Sequence, residues 1–330
     1  MKKPSHWIAW VLTGLFLLMM LVPLQPPVRE YLTNIKKAAR TSAGNPHAPH
    51  GHGVWQQIDE LAARLEQPAE DARIDPVWKA IPGYNGLAVD REMTYQLAKR
   101  RPGQPIVPVL QETEPVVQLD QLMPAPIYRG NPHKPMVGFL INVAWGEEHL
   151  PSMLAILREE QVKATFFFDG SWAKTHPQWV RQIAELGHEI GNHAYSHPMM
   201  SRLTESAMER QIRQTNQVIE ELLGKKPRYF APPAGDFNQK VVEVAHRQGM
   251  WTILWTLDTV DWKNPKPDWI LQRIVPAVDN GHLILMHPTP STVQALKPLI
   301  RHIRAKQLQL GTVSDVLSTK RTDVVRLPEF

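Results

Sequence analysis

The sequence predicts an α/β chain whose second half is a distorted (β/α) barrel of about seven units. Three observations predict it. From Met136 onward, short apolar runs alternate with amphipathic helical segments of ten or more residues, the pattern of a parallel sheet joined by crossover helices. About seven such units suit a closed wall more than an open sheet. No Gly-x-Gly-x-x-Gly follows any of the apolar runs, which counts against a dinucleotide-binding fold.

In chain order, Lys2 and Lys3 precede an apolar run at residues 7–24, at the short edge of a bilayer span. No small-x-small cleavage site follows Leu24; Gln25, Pro26 and Pro27 do instead. The run is therefore read as an uncleaved transmembrane anchor, ahead of a cleaved signal or a core helix. Lys2 and Lys3 argue for an inner N-terminus, whereas Arg29, Lys36, Lys37 and Arg40 lie on the far side. An extracytoplasmic placement of the bulk therefore rests partly on the substrate. Residues 25–53 form a linker whose His47, His50 and His52 read as solvated side chains rather than a metal tract.

Residues 54–115 read as a small α/β module. Val54, Trp55, Ile58, Leu61, Ala62 and Leu65 share one helical face. A short strand at 87–89, a helix at 91–99 and a strand at 105–110 follow. The module carries no catalytic constellation, which leaves it a structural or partner-binding role. Residues 116–135 are a Pro-rich connection, and 319–330 a C-terminal tail.

Composition bounds the chemistry. Of 330 residues, 43% are hydrophobic and 21% charged, which suits a globular core. The net charge of +5 is compatible with an anionic partner such as a membrane or wall polymer, and equally with none, because basic and acidic residues are interspersed. Nothing assigns a nucleic-acid partner or an oligomeric state. Cysteine is absent, so any metal must be held by His, Asp or Glu.

The expected barrel strands lie at 137–143, 164–168, 188–191, 229–231, 251–256, 282–286 and 308–313. Helices are expected at 150–160, 178–186, 206–223, 240–248, 268–278 and 292–306. After the third strand, His193 and His197 stand four residues apart, close enough to share one side of a helical turn or tight loop. Neutral imidazoles are common ligands of a divalent ion, and the C-terminal strand edge is where barrels carry chemistry. The alternative is a pair of satisfied core histidines.

Several motifs in order give the second half a family resemblance. Gly187 to Pro198 contains the histidine pair, Asp258-Thr259-Val260-Asp261-Trp262 follows, and then Leu285-Met286-His287-Pro288. Residues 136–318 resemble the polysaccharide deacetylases, the NodB-homology domain of carbohydrate esterase family four. The nearest flavour is that of sporulation-type, membrane-anchored members acting on peptidoglycan. The resemblance implies His193 and His197 as metal ligands, His287 as the general acid and Asp258 as part of a charge pair on the acid side. It also implies Pro232, Pro233 and Trp262 as substrate-binding residues, and one divalent metal, zinc or cobalt.

The sequence departs from that family where the chemistry is most demanding. Ala144 stands in place of the base aspartate and Trp145 in place of the third metal ligand. Ala231 replaces an arginine and Ala234 a tyrosine. The metal is therefore expected to be weakly bound or absent, unless Glu147, Glu148 or Asp169 substitutes. The expected function is a polysaccharide deacetylase-like hydrolase removing N-acetyl groups from cell-wall glycan, peptidoglycan or chitin-like. The alternative is a catalytically impaired pseudoenzyme that binds wall glycan or a protein partner.

Overall fold

The computed structural model describes residues 52–322. The expected anchor at 7–24, nearly all of the linker and the end of the tail lie outside the described residues. Among the described residues, no helix is long and apolar enough to cross a membrane. Two units divide the chain, Met1–Gln57 and Ile58–Phe330.

Helix α1 (His52–Leu65) buries Ile58 and Ala62 completely, two positions of the predicted apolar face. The antiparallel pair β1 (Arg73–Asp75) and β2 (Lys79–Ile81) is turned by Asp75, whose carboxylate accepts from the N–H groups of Val77 and Trp78. Strand β3 (Gly86–Val89) leads to helix α2 (Arg91–Arg100), N-capped by the Asp90 carboxylate on the N–H of Met93. Strand β4 (Leu110–Thr113) returns antiparallel to β3. It lies later than the expected 105–110, because Pro105 and Pro108 offer no N–H to a ladder.

The parallel sheet begins with β5 (Met136–Val143), buried along its whole length. Helix α3 (Leu150–Glu159) carries the chain to β6 (Thr165–Phe168), and α4 (Gly170–Thr175) and α5 (Pro177–Glu185) to β7 (Glu189–Asn192). Next come α6 (Glu205–Leu223), β8 (Tyr229–Phe230), α7 (Gln239–Arg247), β9 (Trp251–Thr252) and β10 (Leu257–Asp258). Then α8 (Pro267–Ile274), β11 (Leu283–Met286), α9 (Pro290–Ala305), β12 (Gln309–Gly311) and α10 (Val313–Leu317) complete the described elements. The strands run β10-β11-β5-β6-β7-β8-β9, all parallel, with β12 beside the start of β5. Seven strands in one row, with β12 as an eighth beside β5, make a curled parallel sheet with helices, consistent with the expected (β/α) barrel.

Of the expected strand 251–256 only β9, at 251–252, pairs in the sheet with β8; β10 follows beyond it at 257–258 and does not pair with β9. The Pro-rich connection fills the interval. Ile127 donates its N–H to Thr252 O and accepts from the N–H of Leu254, at 2.9 and 2.8 Å. The Thr256 hydroxyl donates to Tyr128 O at 2.7 Å, and Arg129 bridges to His282 beside β11. Residues 127–129 thus form an extra stave, and Ile127 is fully buried.

Strand parity sorts the core. Val137, Phe139, Ile141 and Val143 of β5 join Phe166, Phe168, Ile284 and Met286 against α3, α5, α8 and α9. The alternate residues Leu140, Phe167 and Leu283 turn inward, where Val313 and Val316 of α10 meet them. Continued to the C-terminal ends of the strands, the inward parity contains Asn142, Gly191, His193, Leu285 and His287. Gly191 is required by that packing: a Cβ there would lie 2.3 Å from the Phe167 ring.

Candidate active site

The loops after β5, β7, β8, β10 and β11 meet over those inward positions and enclose a cleft of about 360 Å3. Ala144, Trp145, His193, His197, Ala234, Asp258, Trp262 and His287 all line it. Pro232 and Pro233 do not. They are buried and hold the turn after β8, so the structure gives them a scaffolding position rather than a wall of the cleft.

His193 is 2% exposed. A carbonyl can only accept, so His193 Nδ1 donates to Ala231 O at 2.8 Å, leaving Nε2 as the second ring nitrogen. Burial, with His197 and His287 nearby, pushes His193 down to about 3, and the ring is neutral at ordinary pH. His197 is exposed, and its ring lies 5.1 Å from that of His193, at 70°. The pair sits in a loop, not on a helical turn: Ala194 and His197 have φ of 61° and 53°. Asn192 and Gln211 hold that loop, accepting from the N–H groups of Ala194, Tyr195 and Ser196.

On the opposite wall, His287 is oriented by Asp261. Nδ1 donates to Asp261 Oδ1 at 2.8 Å, and the His287 backbone N–H donates to Oδ2 at 2.6 Å. The Thr292 hydroxyl donates to the same carboxylate, which is fully buried. The carboxylate that orients His287 is therefore Asp261; Asp258 is the residue expected in a charge pair with an arginine on the acid side. Asp258 lines the cleft instead, half-buried, and accepts from the Val260 N–H at 2.7 Å. Among the described residues it forms no ion pair, Ala231 having taken the place of the expected arginine.

Trp145 is 45% exposed and stacks on His287, with ring centroids 5.9 Å apart and planes 7° from parallel. The loop that carries it turns at Gly146, φ 81°, where a Cβ would lie 2.3 Å from Pro288 O. Only glycine fits both the backbone conformation and that approach.

The three acidic residues considered as substitutes are occupied elsewhere. Glu147 accepts from Trp172 Nε1 at 3.4 Å and lies 3.8 Å from His176 Nε2. Glu148 pairs with its neighbour His149 at 3.5 Å. Asp169 is buried and caps α4 through the Trp172 N–H. None lines the cleft. Among the described residues, no group of three or more His, Asp or Glu is placed to hold a metal ion. Two imidazoles with no carboxylate grouped beside them fall short of the three or four protein ligands of a zinc site. The donor set therefore does not fit a resident metal.

The cleft thus keeps a histidine oriented by a buried carboxylate, while Ala144 brings no carboxylate to its wall. The sequence reading did not single out Asn142, Trp255 or Leu285 as lining residues, nor the role of Asp261. Strand parity would have found Asn142 and Leu285.

The polysaccharide deacetylase family matches residues 129–253. The uncharacterized protein YlxY of Bacillus subtilis is 43% identical over 297 residues, 90% of this chain and 92% of that one. A peptidoglycan-N-acetylglucosamine deacetylase of Bacillus cereus is 34% identical over 179 residues, 53% of this chain and 65% of that one. The crystal structure of BA3943, a CE4 family pseudoenzyme from Bacillus anthracis, superposes with a TM-score of 0.77 at 42% identity. It covers 82% of this chain and 96% of that one. A BA3943 mutant with restored enzymatic activity superposes with a TM-score of 0.76 at 41% identity, covering 82% of this chain and 99% of that one.

Proposed function

Since this chain belongs to the polysaccharide deacetylase family, carbohydrate esterase family four, we infer that its cleft takes an amino-sugar glycan of the cell wall, peptidoglycan or chitin-like, with N-acetyl removal as the reaction class. One observation carries the reading. His193, His197, Asp258, Trp262 and His287, from three separate loops, meet in a single cleft at the C-terminal strand edge. Trp262 is 52% exposed and offers a sugar an aromatic face. The Asp261–His287 pair aims a ring nitrogen at the cleft, where a leaving amine would need a proton.

A second reading is favoured by a specific observation. Ala144 brings no base to the cleft, and Trp145 stands over the acid histidine. On this reading the chain binds wall glycan, or a protein partner, with catalysis impaired. The similarity to a CE4 family pseudoenzyme supports it.

The deciding experiment measures acetate release by the purified full chain from N-acetylglucosamine oligomers and from peptidoglycan, with and without zinc or cobalt, beside His287→Ala. Release abolished by His287→Ala establishes the hydrolase. No release, together with retention on intact wall, establishes the impaired binder. We also propose that residues 7–24 hold the chain at the membrane with its bulk on the wall side, supported by their apolar length. Protease accessibility in intact cells and inverted vesicles tests that placement. A sporulation role is supported only by the sequence resemblance, and is tested by spore formation without the chain.

A further inference from the structure

The charge of the cleft is unusual for a pocket meant to polarise an acetyl carbonyl. Among its lining residues there is no lysine and no arginine, and Asp258 is the one carboxylate. That carboxylate is half-buried and has no ion pair among the described residues. The indoles of Trp145, Trp255 and Trp262 line the same cleft. His193 and His287 spend their Nδ1–H groups on Ala231 O and Asp261, so each has only Nε2 left for a ligand. An unpaired carboxylate among indole faces is the chemistry that recognises an ammonium group. A carbonyl oxygen would meet neutral donors there, and no lysine or arginine among the lining residues.

We propose that the cleft prefers a de-N-acetylated amino sugar, carrying a free ammonium, to its N-acetylated counterpart. The proposal rests on the reading of the cleft as an amino-sugar glycan site. The ammonium sits against Asp258, with Trp145 and Trp255 beside it. Trp262 takes less part, because Lys263 Nζ already lies 4.9 Å from its ring centroid. The chain as a whole carries +5, so general electrostatics oppose a polycationic oligomer and do not explain a preference for one.

The test titrates the full chain with glucosamine tetramer and with N-acetylglucosamine tetramer at about neutral pH, followed by tryptophan fluorescence and calorimetry. The expected result is about tenfold tighter binding of the glucosamine tetramer. That ratio should shrink as salt is raised, and collapse in Asp258→Asn, whose side chain keeps the shape and loses the charge. Trp145→Ala gives a second variant, expected to weaken glucosamine binding with the melting temperature retained. Equal binding, or tighter binding of the N-acetylated tetramer, overturns the preference and leaves the glycan reading standing. Binding of neither tetramer overturns the glycan reading and the preference with it.

Discussion

Trp145 and Ala144 sit where two carboxylates would complete the cleft, and both side chains already line it. Replacing both, Ala144→Asp with Trp145→Asp, should give zinc binding and zinc-dependent acetate release. Either change alone should give far less, since a positioned base is worth about 10²–10⁴ in rate and the ion needs its third ligand. Calorimetric zinc titration and an acetate assay check this; zinc binding to the unmodified chain at equal affinity would contradict it. Asp261 makes a second prediction at this scale. Asp261→Ala strands the buried Thr292 hydroxyl and the His287 N–H groups, and should cost about 1–3 kcal/mol by denaturant unfolding. Much of this was legible in the sequence: the motif residues His193, His197, Asp258, Trp262 and His287 do share one cleft. Which of Asp258 and Asp261 holds the histidine was not. The two lie three residues apart, and the left-handed Val260 between them, φ 52°, turns one toward the cleft and the other into the core.

At the scale of elements, the alternation of strands and helices could be read from apolar periodicity, and the strand ends could not. Helix α4 escaped because it is short and set by its cap, Asp169, rather than by a repeating apolar face. The stave at 127–129 escaped because it is a few residues of a Pro-rich connection, and its pairing partners lie far along the chain, at Lys79, Ile253 and His282. Ile127→Ala should cost about 2–5 kcal/mol, as for other fully buried large-to-small changes, with a lower melting temperature by calorimetry. Gly146→Ala should destabilise the chain too, because the new Cβ meets Pro288 O in a backbone conformation that alanine rarely adopts.

Across the whole molecule, stability should depend on pH through three buried histidines. Burial, with Lys163 nearby, pushes His188 from 6.5 to about 4, and burial with Arg129 nearby does the same for His282. His193 goes to about 3. In the unfolded chain these rings take up protons below about 6.5, while the folded chain refuses them. Stability is therefore full above about pH 6.5 and declines as pH falls toward the folded values. Each ring adds a slope of up to about 1.4 kcal/mol per pH unit. Denaturant midpoints between about pH 7.5 and pH 4.5 should show this decline, and His188→Asn should flatten it. A midpoint constant over that range would mean that the rings take up protons within the fold. The extra stave also bears on inheritance. The piece of chain that can be moved between proteins as one body starts upstream of the first motif. A graft cut at Met136 would carry every cleft residue and arrive with a wall panel missing beside Ile253. One cut ahead of Ile127 would bring its own closure.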